Sequence, residues 1–289
     1  DKYCRDKKSI FLKIDPDISL RTVYNDGNPI DGPDNFARAR ELKLLGFKHL
    51  PLTYHFESEQ PRFSFRIDLR DGIDAVRAKY AKQVKRHINT AKNAHITVYR
   101  AGKDELDEFY KLMSKTEKRQ SFYSHPEEYY PKFYDILDEH DMVWFYIAKI
   151  DTVALLDDLE KSLKVKQDCM RSLQGKEGKK IAGKIKETKK EIVALEKQVA
   201  SVSQLPKGNI PASAYLIAKY GKTAWALYAG NDMDYGKFYP NYLIYDVFLE
   251  DCVNAGIETF DMFGGIGKPS DNSAINGIQA FKKQWGGTL

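Results

Sequence analysis

Cysteine is scarce in this sequence, and long apolar runs are missing. Only three cysteines, Cys4, Cys169 and Cys252, occur in 289 residues, and none has the Cys-x-x-Cys spacing of zinc and redox sites. This scatter argues against a disulfide framework or a structural zinc site, and it favours a reducing compartment such as the cytoplasm. No stretch of eighteen apolar residues is present, so the sequence predicts no membrane-spanning helix.

Several catalytic and nucleotide-binding motifs are missing as well. No His-Glu-x-x-His or Gly-x-Ser-x-Gly occurs and the six histidines are dispersed, so we predict neither a metal site nor a serine-type acyl transferase. The glycine-rich run at 264–270 is not a phosphate loop, because Pro269 follows its lysine. Residues 228–241 lack the glycine nest that binds the pyrophosphate of coenzyme A, and Asp232 and Asp234 would repel it. We therefore predict no cofactor.

The residues that are present suffice for a folded, mildly basic protein. Hydrophobic residues make up 42% of the chain and aromatic residues 12%, enough to bury a core in about two domains. The formal net charge is +5, and lysine and arginine concentrate within residues 77–87 and 176–190. A solvated surface is the ordinary explanation of such runs. The functional alternative is contact with nucleic-acid phosphates, which needs charge and little sequence specificity.

Strand-like and helix-like segments alternate along the chain, which predicts a mixed α/β fold. The predicted elements are a strand at 9–14, a helix at 36–45 capped by Asp34 and ended by Gly46, a strand at 63–69, a basic helix at 73–93, a strand at 96–100, helices at 103–117 and 126–139, a strand at 143–150, a hairpin of 212–220 and 223–229, a helix at 242–255, a strand at 259–263 and a helix at 273–285. This order matches the acyl-CoA N-acetyltransferase (GNAT) architecture, with one insertion between two central strands.

The insertion at 153–202 contains two amphipathic segments. Apolar residues recur at steps of three and four on both sides of a Gly-Lys-Glu-Gly break at 175–178. This spacing predicts an antiparallel helical hairpin, a coiled coil, with arms roughly 30 Å long at about 1.5 Å per residue. A hairpin of that length cannot be buried in a domain of this size, so we expect it to project. The apolar positions are Leu156, Leu159, Leu163, Met170, Leu173, Ile181, Ile185, Ile192, Leu195, Val199 and Val202.

A set of short stretches runs in order over nearly the whole chain. They are Phe11-Leu-Lys-Ile-Asp-Pro-Asp17, Gln60-Pro-Arg62, Lys115-Thr-Glu-Lys-Arg-Gln-Ser-Phe-Tyr123, Pro126-Glu-Glu-Tyr-Tyr130, Tyr228-Ala-Gly230, Tyr239-Pro-Asn-Tyr242, Phe260-Asp-Met-Phe-Gly-Gly-Ile266 and Phe281-Lys-Lys-Gln-Trp-Gly-Gly287. Together with the inserted helices, this set resembles the Fem family, the tRNA-dependent aminoacyltransferases that build peptidoglycan cross-bridges.

The resemblance implies two tandem GNAT-like domains, of which we expect the first to be incomplete in this chain. The expected divisions are 1–62 as a partial first domain, 63–150 with 205–272 as the second domain, 151–204 as the inserted coiled-coil arm, and 273–289 as a helix that returns toward the first domain.

The resemblance also implies an activity, the transfer of an amino acid from aminoacyl-tRNA to an amine on the stem peptide of a peptidoglycan precursor. The precursor would be lipid II or a UDP-MurNAc-peptide, and a lipid-linked substrate would bring the protein to the inner membrane face. Family members use neither metal nor coenzyme A. Two other classes stay open: an N-acyltransferase of GNAT type that uses coenzyme A, and a non-enzymatic RNA-binding or scaffolding module that uses the coiled coil.

Candidate site residues follow from the resemblance, from the chemistry of a carboxylate beside an amine for Asp15, and from concentrated charge for the lysines of the insertion. The catalytic candidates are Lys282, which would polarise the ester carbonyl or hold the tRNA end, and Asp15, which would orient the acceptor amine and accept its proton. The substrate-binding candidates are Arg119, Tyr123, Tyr228 and Phe281, and the tRNA-binding candidates are Lys176, Lys179, Lys180 and Lys184. Each has an ordinary alternative: a surface lysine or ion pair, an Asp-Pro turn, or a core aromatic residue.

Overall fold

The computed structural model of the protein describes residues 2–14, 18–24, 28–32, 34–50, 62–120, 125–266 and 273–289. Its α-helices are α1 (Lys2–Asp6), α2 (Phe36–Leu44), α3 (Ile73–Lys79), α4 (Lys82–Asn93), α5 (Leu106–Gln120), α6 (Tyr129–Asp138), α7 (Thr152–Leu173), α8 (Lys179–Val202), α9 (Pro240–Asn254) and α10 (Ser273–Lys283). Its strands are β1 (Arg66–Asp68), β2 (Ile96–Arg100), β3 (Val143–Asp151), β4 (Asn209–Tyr220), β5 (Thr223–Asn231) and β6 (Thr259–Asp261). Two compact units result: a terminal unit of residues 1–68 and 259–289, and a central unit of residues 69–258.

Within the central unit, β2, β3, β4 and β5 pair in that order, each antiparallel to its neighbour. The hairpin between β4 and β5 turns at Gly221, whose φ of +56° is accessible to glycine without strain. From Val143 to Ala148 every residue of β3 is buried, which explains why its sequence is a continuous apolar run and not an alternating one.

Helices cover both faces of these strands. Phe145 and Ile147 of β3 belong to one apolar cluster with Phe109 of α5 and Tyr130 of α6. The intervening Tyr146 instead meets Phe248 of α9, with ring centroids 6.0 Å apart. Because successive side chains of a strand point to opposite faces, α5 and α6 form one layer and α9 forms the other.

The predicted helix at 73–93 is wrong as a single element, because α3 ends before Tyr80 and α4 begins after Ala81. Both residues are extended, with ψ of 135° and 148°. Tyr80 is buried and its hydroxyl donates to Asp246 of α9 at 3.3 Å. Arg77 binds the same carboxylate through two hydrogen bonds of 2.9 Å. These contacts with a distant helix override the helical propensity of the local sequence.

In the terminal unit, β1 and β6 pair antiparallel, with the buried Ile67 opposite the buried Phe260. The last residues of the chain lie along β1, since the backbones of Arg66 and Thr288 exchange hydrogen bonds of 2.7 and 2.9 Å. The chain is therefore tied to β1 immediately after α10, which fixes the end of the helix that carries Lys282.

The structure of the first part of the terminal unit agrees only in part with the elements predicted from the sequence. The predicted strand at 9–14 is irregular backbone, and Ile10 is 98% exposed. No strand in the described ranges pairs with it, and an unpaired strand leaves its backbone polar groups without partners. The helix predicted at 36–45 is present as α2, which ends one residue earlier, and Gly46 follows it with a φ of +91°. Its N-cap is Asn35 and not Asp34, although the Asp34 side chain accepts the backbone N–H of Phe36 at 3.1 Å.

The two helices predicted in the insertion are present as α7 and α8, joined by residues 174–178. Asp151 caps α7 by accepting two backbone N–H groups of its first turn at 2.9 and 3.0 Å. An ion pair of 2.7 Å joins Lys166 of α7 to Glu191 of α8. Neither these long helices nor any other helix in the described ranges is apolar enough to cross a membrane. The coiled-coil designation and the domain boundaries stay predictions.

Candidate active site

Lys282 lies in the last turns of α10 and is buried, with 8% of its surface exposed. Its Nζ donates to the backbone carbonyl of Gly264 at 2.5 Å. Burial lowers the pKa of Lys282 from its ordinary value of 10.5 to about 8, and Asp261 acts in the opposite direction. The amine is therefore protonated at neutral pH but close to its titration point. An exposed surface lysine, the ordinary alternative, does not describe this position.

The loop that accepts this hydrogen bond is fixed by Asp261, which is 2% exposed. One carboxylate oxygen accepts from Nε of Arg66 at 3.0 Å. The other accepts from the backbone N–H of Phe263 at 2.7 Å and from the hydroxyl of Ser64. Three donors thus satisfy the buried charge. Phe263, whose N–H is one of these donors, has a left-handed conformation, φ +52°, which turns the chain directly before Gly264.

A second side chain of α10 binds the same loop. The amide of Gln279, which is 7% exposed, donates to the carbonyl of Ile266 at 2.9 Å and accepts the N–H of Ile266 at 3.3 Å. Gln279 and Lys282 are three residues apart and so share one face of the helix. Phe281 is half-buried, and its ring lies 5.8 Å from that of the fully buried Trp285. Phe281 therefore packs along the helix that positions Lys282.

In the central unit, Tyr228 belongs to a cluster of aromatic rings between β5 and α6. Its hydroxyl lies 2.9 Å from the hydroxyl of Tyr129. The ring centroids of His125, Tyr130 and Phe133 lie 5.5–5.7 Å from that of Tyr228. Burial, assisted by the contact with Tyr129, raises the pKa of Tyr228, so its phenol is protonated at neutral pH and either hydroxyl of the pair can be the donor.

Arg119 lies in the last turn of α5 and is exposed. The preceding turn is anchored to the end of β5, where the hydroxyl of Thr116 accepts the backbone N–H of Asn231 at 2.9 Å. Close approach of helix and strand requires Gly230, because a Cβ there would lie 2.7 Å from the backbone nitrogen of Met113. The glycine of the Tyr-Ala-Gly motif thus sets the position of α5 and of Arg119.

The lysine candidates of the insertion are exposed residues around the start of α8: Lys176, Lys179, Lys180 and Lys184. The first turn of α8 contains no acidic residue, and its N-cap, Gly178, provides no side-chain hydrogen bond. Positive charges near a helix N-terminus are electrostatically unfavourable, because the exposed backbone N–H groups are positive as well. A bound polyanion would relieve this repulsion.

The candidate residues are distributed over both units. Phe281 and Lys282 lie in the terminal unit, and Arg119, Tyr228 and the four lysines lie in the central unit. Asp15 and Tyr123 lie outside the described residues. Throughout the described part of the chain, no three His, Cys, Asp or Glu side chains are grouped so that they could hold a metal ion.

Sequence reasoning did not identify three residues that shape these sites, namely Asp261, Gln279 and Tyr129. Asp261 could have been identified from the local sequence, because it is an acidic residue in an apolar strand, where an unpaired charge would be costly. Gln279 had only its spacing from Lys282 as a signal. Tyr129 was part of a recognised motif, but its contact with Tyr228 joins residues 99 positions apart.

Comparison with known proteins identifies the family. The FemAB family model matches residues 1–289. Lipid II:glycine glycyltransferase of Staphylococcus epidermidis is 25% identical over 292 residues, which is 99% of this chain and 67% of the relative. The protein of the same name from Staphylococcus haemolyticus is 24% identical over 298 residues, again 99% of this chain and 67% of the relative. The crystal structure of FemX has a TM-score of 0.66 at 23% identity, covering 88% of this chain and 66% of FemX.

These matches bear on both the fold and the class of protein. The likeness to FemX confirms the mixed α/β fold, and the chain spans about two thirds of the length of its relatives, 67% for the glycyltransferases and 66% for FemX. The name of the glycyltransferases describes enzymes that transfer an aminoacyl group, which agrees with the predicted enzyme class, an aminoacyltransferase. Since the family model matches the chain from end to end, the chain belongs to the FemAB family.

Proposed function

We propose that the protein transfers an amino acid from aminoacyl-tRNA to an amine on the stem peptide of a peptidoglycan precursor, lipid II or a UDP-MurNAc-peptide. Family membership and the name of the curated relatives support this class of reaction. The observation that carries the proposal is the buried amine of Lys282, held on the carbonyl of Gly264 at 2.5 Å. A buried ammonium has three N–H donors, which suits a reaction that develops negative charge on oxygen.

The reaction needs positioning and charge stabilisation more than strong activation, because the aminoacyl ester is already reactive. The acceptor nitrogen attacks the ester carbonyl carbon and the bond to the tRNA ribose oxygen breaks. The proton lost by the amine ends on that ribose hydroxyl. The ammonium of Lys282 would donate to the carbonyl oxygen while its charge develops, and burial strengthens this interaction. Asp15 would orient the acceptor amine and accept its proton first.

For the precursor, we assign binding roles to residues of the central unit. The protonated phenol of Tyr228 can donate to a peptide or sugar oxygen, because its hydrogen bond with Tyr129 occupies only part of the capacity of its hydroxyl. Arg119 is exposed and charged, which suits bidentate binding of a diphosphate, and Tyr123 would add a hydroxyl to that contact. Phe281 would form an apolar wall next to Lys282.

For the donor, we propose that the exposed lysines near the start of α8 bind phosphates of the tRNA, on an arm that is a coiled coil. The proposal includes two GNAT-like domains and a cytoplasmic location. One observation supports that location, and the proposed donor agrees with it. The cysteines Cys4, Cys169 and Cys252 form no disulfide, which suits a reducing compartment, and charged tRNA is a cytoplasmic substrate.

The test is a transfer assay with the protein, pools of charged tRNA and a precursor analogue, read by mass spectrometry. We expect a mass increment that identifies the amino acid. Lys282→Met should lower the rate about 100-fold or more, because it removes a donor to the developing oxyanion. Lys283→Met, a change at the exposed neighbouring lysine, should leave the rate unchanged. Absence of an increment with every tRNA pool, or transfer from acyl-coenzyme A instead, would refute the proposal.

A further inference from the structure

The side chain of Gln279 on α10 binds the backbone of a loop residue outside the helix. A buried glutamine on α10 binds both the N–H and the carbonyl of one residue, Ile266, at 3.3 and 2.9 Å. A single side chain thereby replaces the strand partner that a backbone segment normally has. Buried amides are costly unless both ends are satisfied, so this pairing specifies one position of the loop relative to the helix.

The loop at 264–266 is also held by Phe63, a residue outside α10. The backbone N–H of Gly265 donates to the carbonyl of Phe63 at 2.6 Å. A Cβ at Gly265 would lie 3.2 Å from that carbonyl oxygen and 2.7 Å from a side-chain carbon of Leu289, so the approach is close. Gln279 therefore fixes Ile266, and Phe63 fixes Gly265. The Gly264 carbonyl that accepts from Lys282 belongs to the residue directly before these two.

The charges around Lys282 come from few groups. Asp261 of β6 is the anion that acts on the Lys282 amine, and Arg66 of β1 binds that carboxylate at 3.0 Å. On α10 itself the neighbouring charge is Lys283, which is exposed. The charge state of Lys282 thus depends on its burial against the loop, on one partly neutralised carboxylate, and on little else among the described residues.

We propose that Gln279 is a positioning residue for Lys282: by clamping Ile266 it holds the Gly264 carbonyl against the Lys282 amine, and Asp261 sets the charge environment of the pair. This inference rests on the proposed function, in which the Lys282 amine contacts the ester. Gln279 itself touches neither substrate nor reacting atoms in this proposal. Its effect on transfer passes through the geometry and the titration of Lys282.

The test reads the Lys282 amine directly, by NMR of protein labelled with 15N at the lysine side chains. Lys282→Arg assigns the signal. In the wild-type protein we expect titration near pH 8. Gln279→Met keeps the size of the side chain but removes both hydrogen bonds, so water reaches the amine and the titration should move up by about one unit toward the ordinary value. Asp261→Asn should move it down, because the carboxylate favours the charged amine.

The control is Ala280→Gln, which changes an exposed position of the same helix and should leave the titration at its wild-type value. Transfer by Gln279→Met should fall in kcat while KM changes little, and its decline at alkaline pH should move up with the NMR titration. The proposal is overturned if Gln279→Met folds with an unchanged Lys282 titration, or if Gln279→Met and Asp261→Asn shift it in the same direction. The NMR readout needs no substrate, so a failure of the transfer assay alone refutes the proposed function and not the positioning role.

Discussion

The hydroxyl of Tyr228 on β5 lies 2.9 Å from the hydroxyl of Tyr129 on α6, and it is a polar contact inside an aromatic cluster. The contact orients the phenol of Tyr228, because two hydroxyls at this distance share one hydrogen bond and leave one proton for another acceptor. A ligand oxygen is such an acceptor in the proposed function.

We expect Tyr228→Phe to raise the KM for the precursor by several-fold to about tenfold, the range of one missing hydrogen bond, while kcat changes less. The unfolding free energy should fall by about 1 kcal/mol, since Tyr129 is deprived of its partner. Tyr220→Phe, at the exposed last residue of β4, is the matched control and should change neither quantity. Steady-state kinetics and urea unfolding give both measurements. An unchanged KM would show that the Tyr228 hydroxyl does not contact the precursor.

A second prediction concerns Gly230, where α5 approaches β5. A methyl group there would lie 2.7–2.8 Å from backbone atoms of Leu112 and Met113, so Gly230→Ala must push the helix away. We expect the free energy of unfolding to fall by about 1–3 kcal/mol, the usual cost of overpacking. Because Arg119 is carried by the same helix, precursor binding should weaken as well.

The control for this change is Gly183→Ala in α8. A Cβ at Gly183 has no atom within 4 Å, so the substitution should stabilise the protein by about 0.5–1 kcal/mol through helix propensity. Urea unfolding of both variants measures the contrast. Equal effects of the two substitutions would mean that α5 does not pack on β5 as closely as described.

The sequence predicted elements well where the pattern is local. The strand predicted at 96–100 is β2, and the strand predicted at 143–150 is β3 with one further residue, because apolar runs and turn residues mark them directly. The break at Tyr80 was not predictable in this way. It depends on a hydrogen bond with Asp246, 166 positions away, and local propensity continues through it.

The candidate site likewise has features that the sequence predicted and features that it did not. Lys282 was found through its motif, but its burial was not, because an amphipathic C-terminal helix gives no sign of what covers it. The contacts of Asp261 with Arg66 and of Gln279 with Ile266 join residues that are 195 and 13 positions apart, and the fold brings them together. The types of residue at this site were thus accessible from the sequence, whereas their protonation and geometry required the structure.

A third prediction follows from the titration of Lys282. Its pKa is about 8 in the folded protein and near 10.5 when the chain is unfolded, so between these values the unfolded state binds more protons. Stability should therefore rise as pH increases from about 8 to 10.5, and the penalty should be constant below that window. Relative to Lys282→Met, we expect the wild-type protein to gain roughly 3 kcal/mol across it.

The measurement is urea unfolding of both proteins at closely spaced pH values. Other groups titrate equally in the two proteins, so the difference isolates Lys282. Lys283→Met serves as the control and should follow the wild-type curve, because this lysine is exposed. A difference that stays flat between pH 8 and 10.5 would show that the folded protein does not lower the pKa of Lys282.

The last prediction concerns the lysines near the start of α8. We expect replacement of Lys176, Lys179, Lys180 and Lys184 by glutamine to weaken tRNA binding and to reduce its salt dependence. The slope of log K against log salt should flatten by about 0.7–0.9 for each tRNA phosphate that a lysine no longer neutralises. The matched control replaces the same four lysines with arginine, which keeps the charge and should keep the slope. Filter binding over a salt series measures both. If the slope is the same in the glutamine variant and in the wild-type protein, tRNA does not bind at these lysines. If transfer at saturating tRNA is unchanged in the glutamine variant, the lysines act in tRNA binding alone.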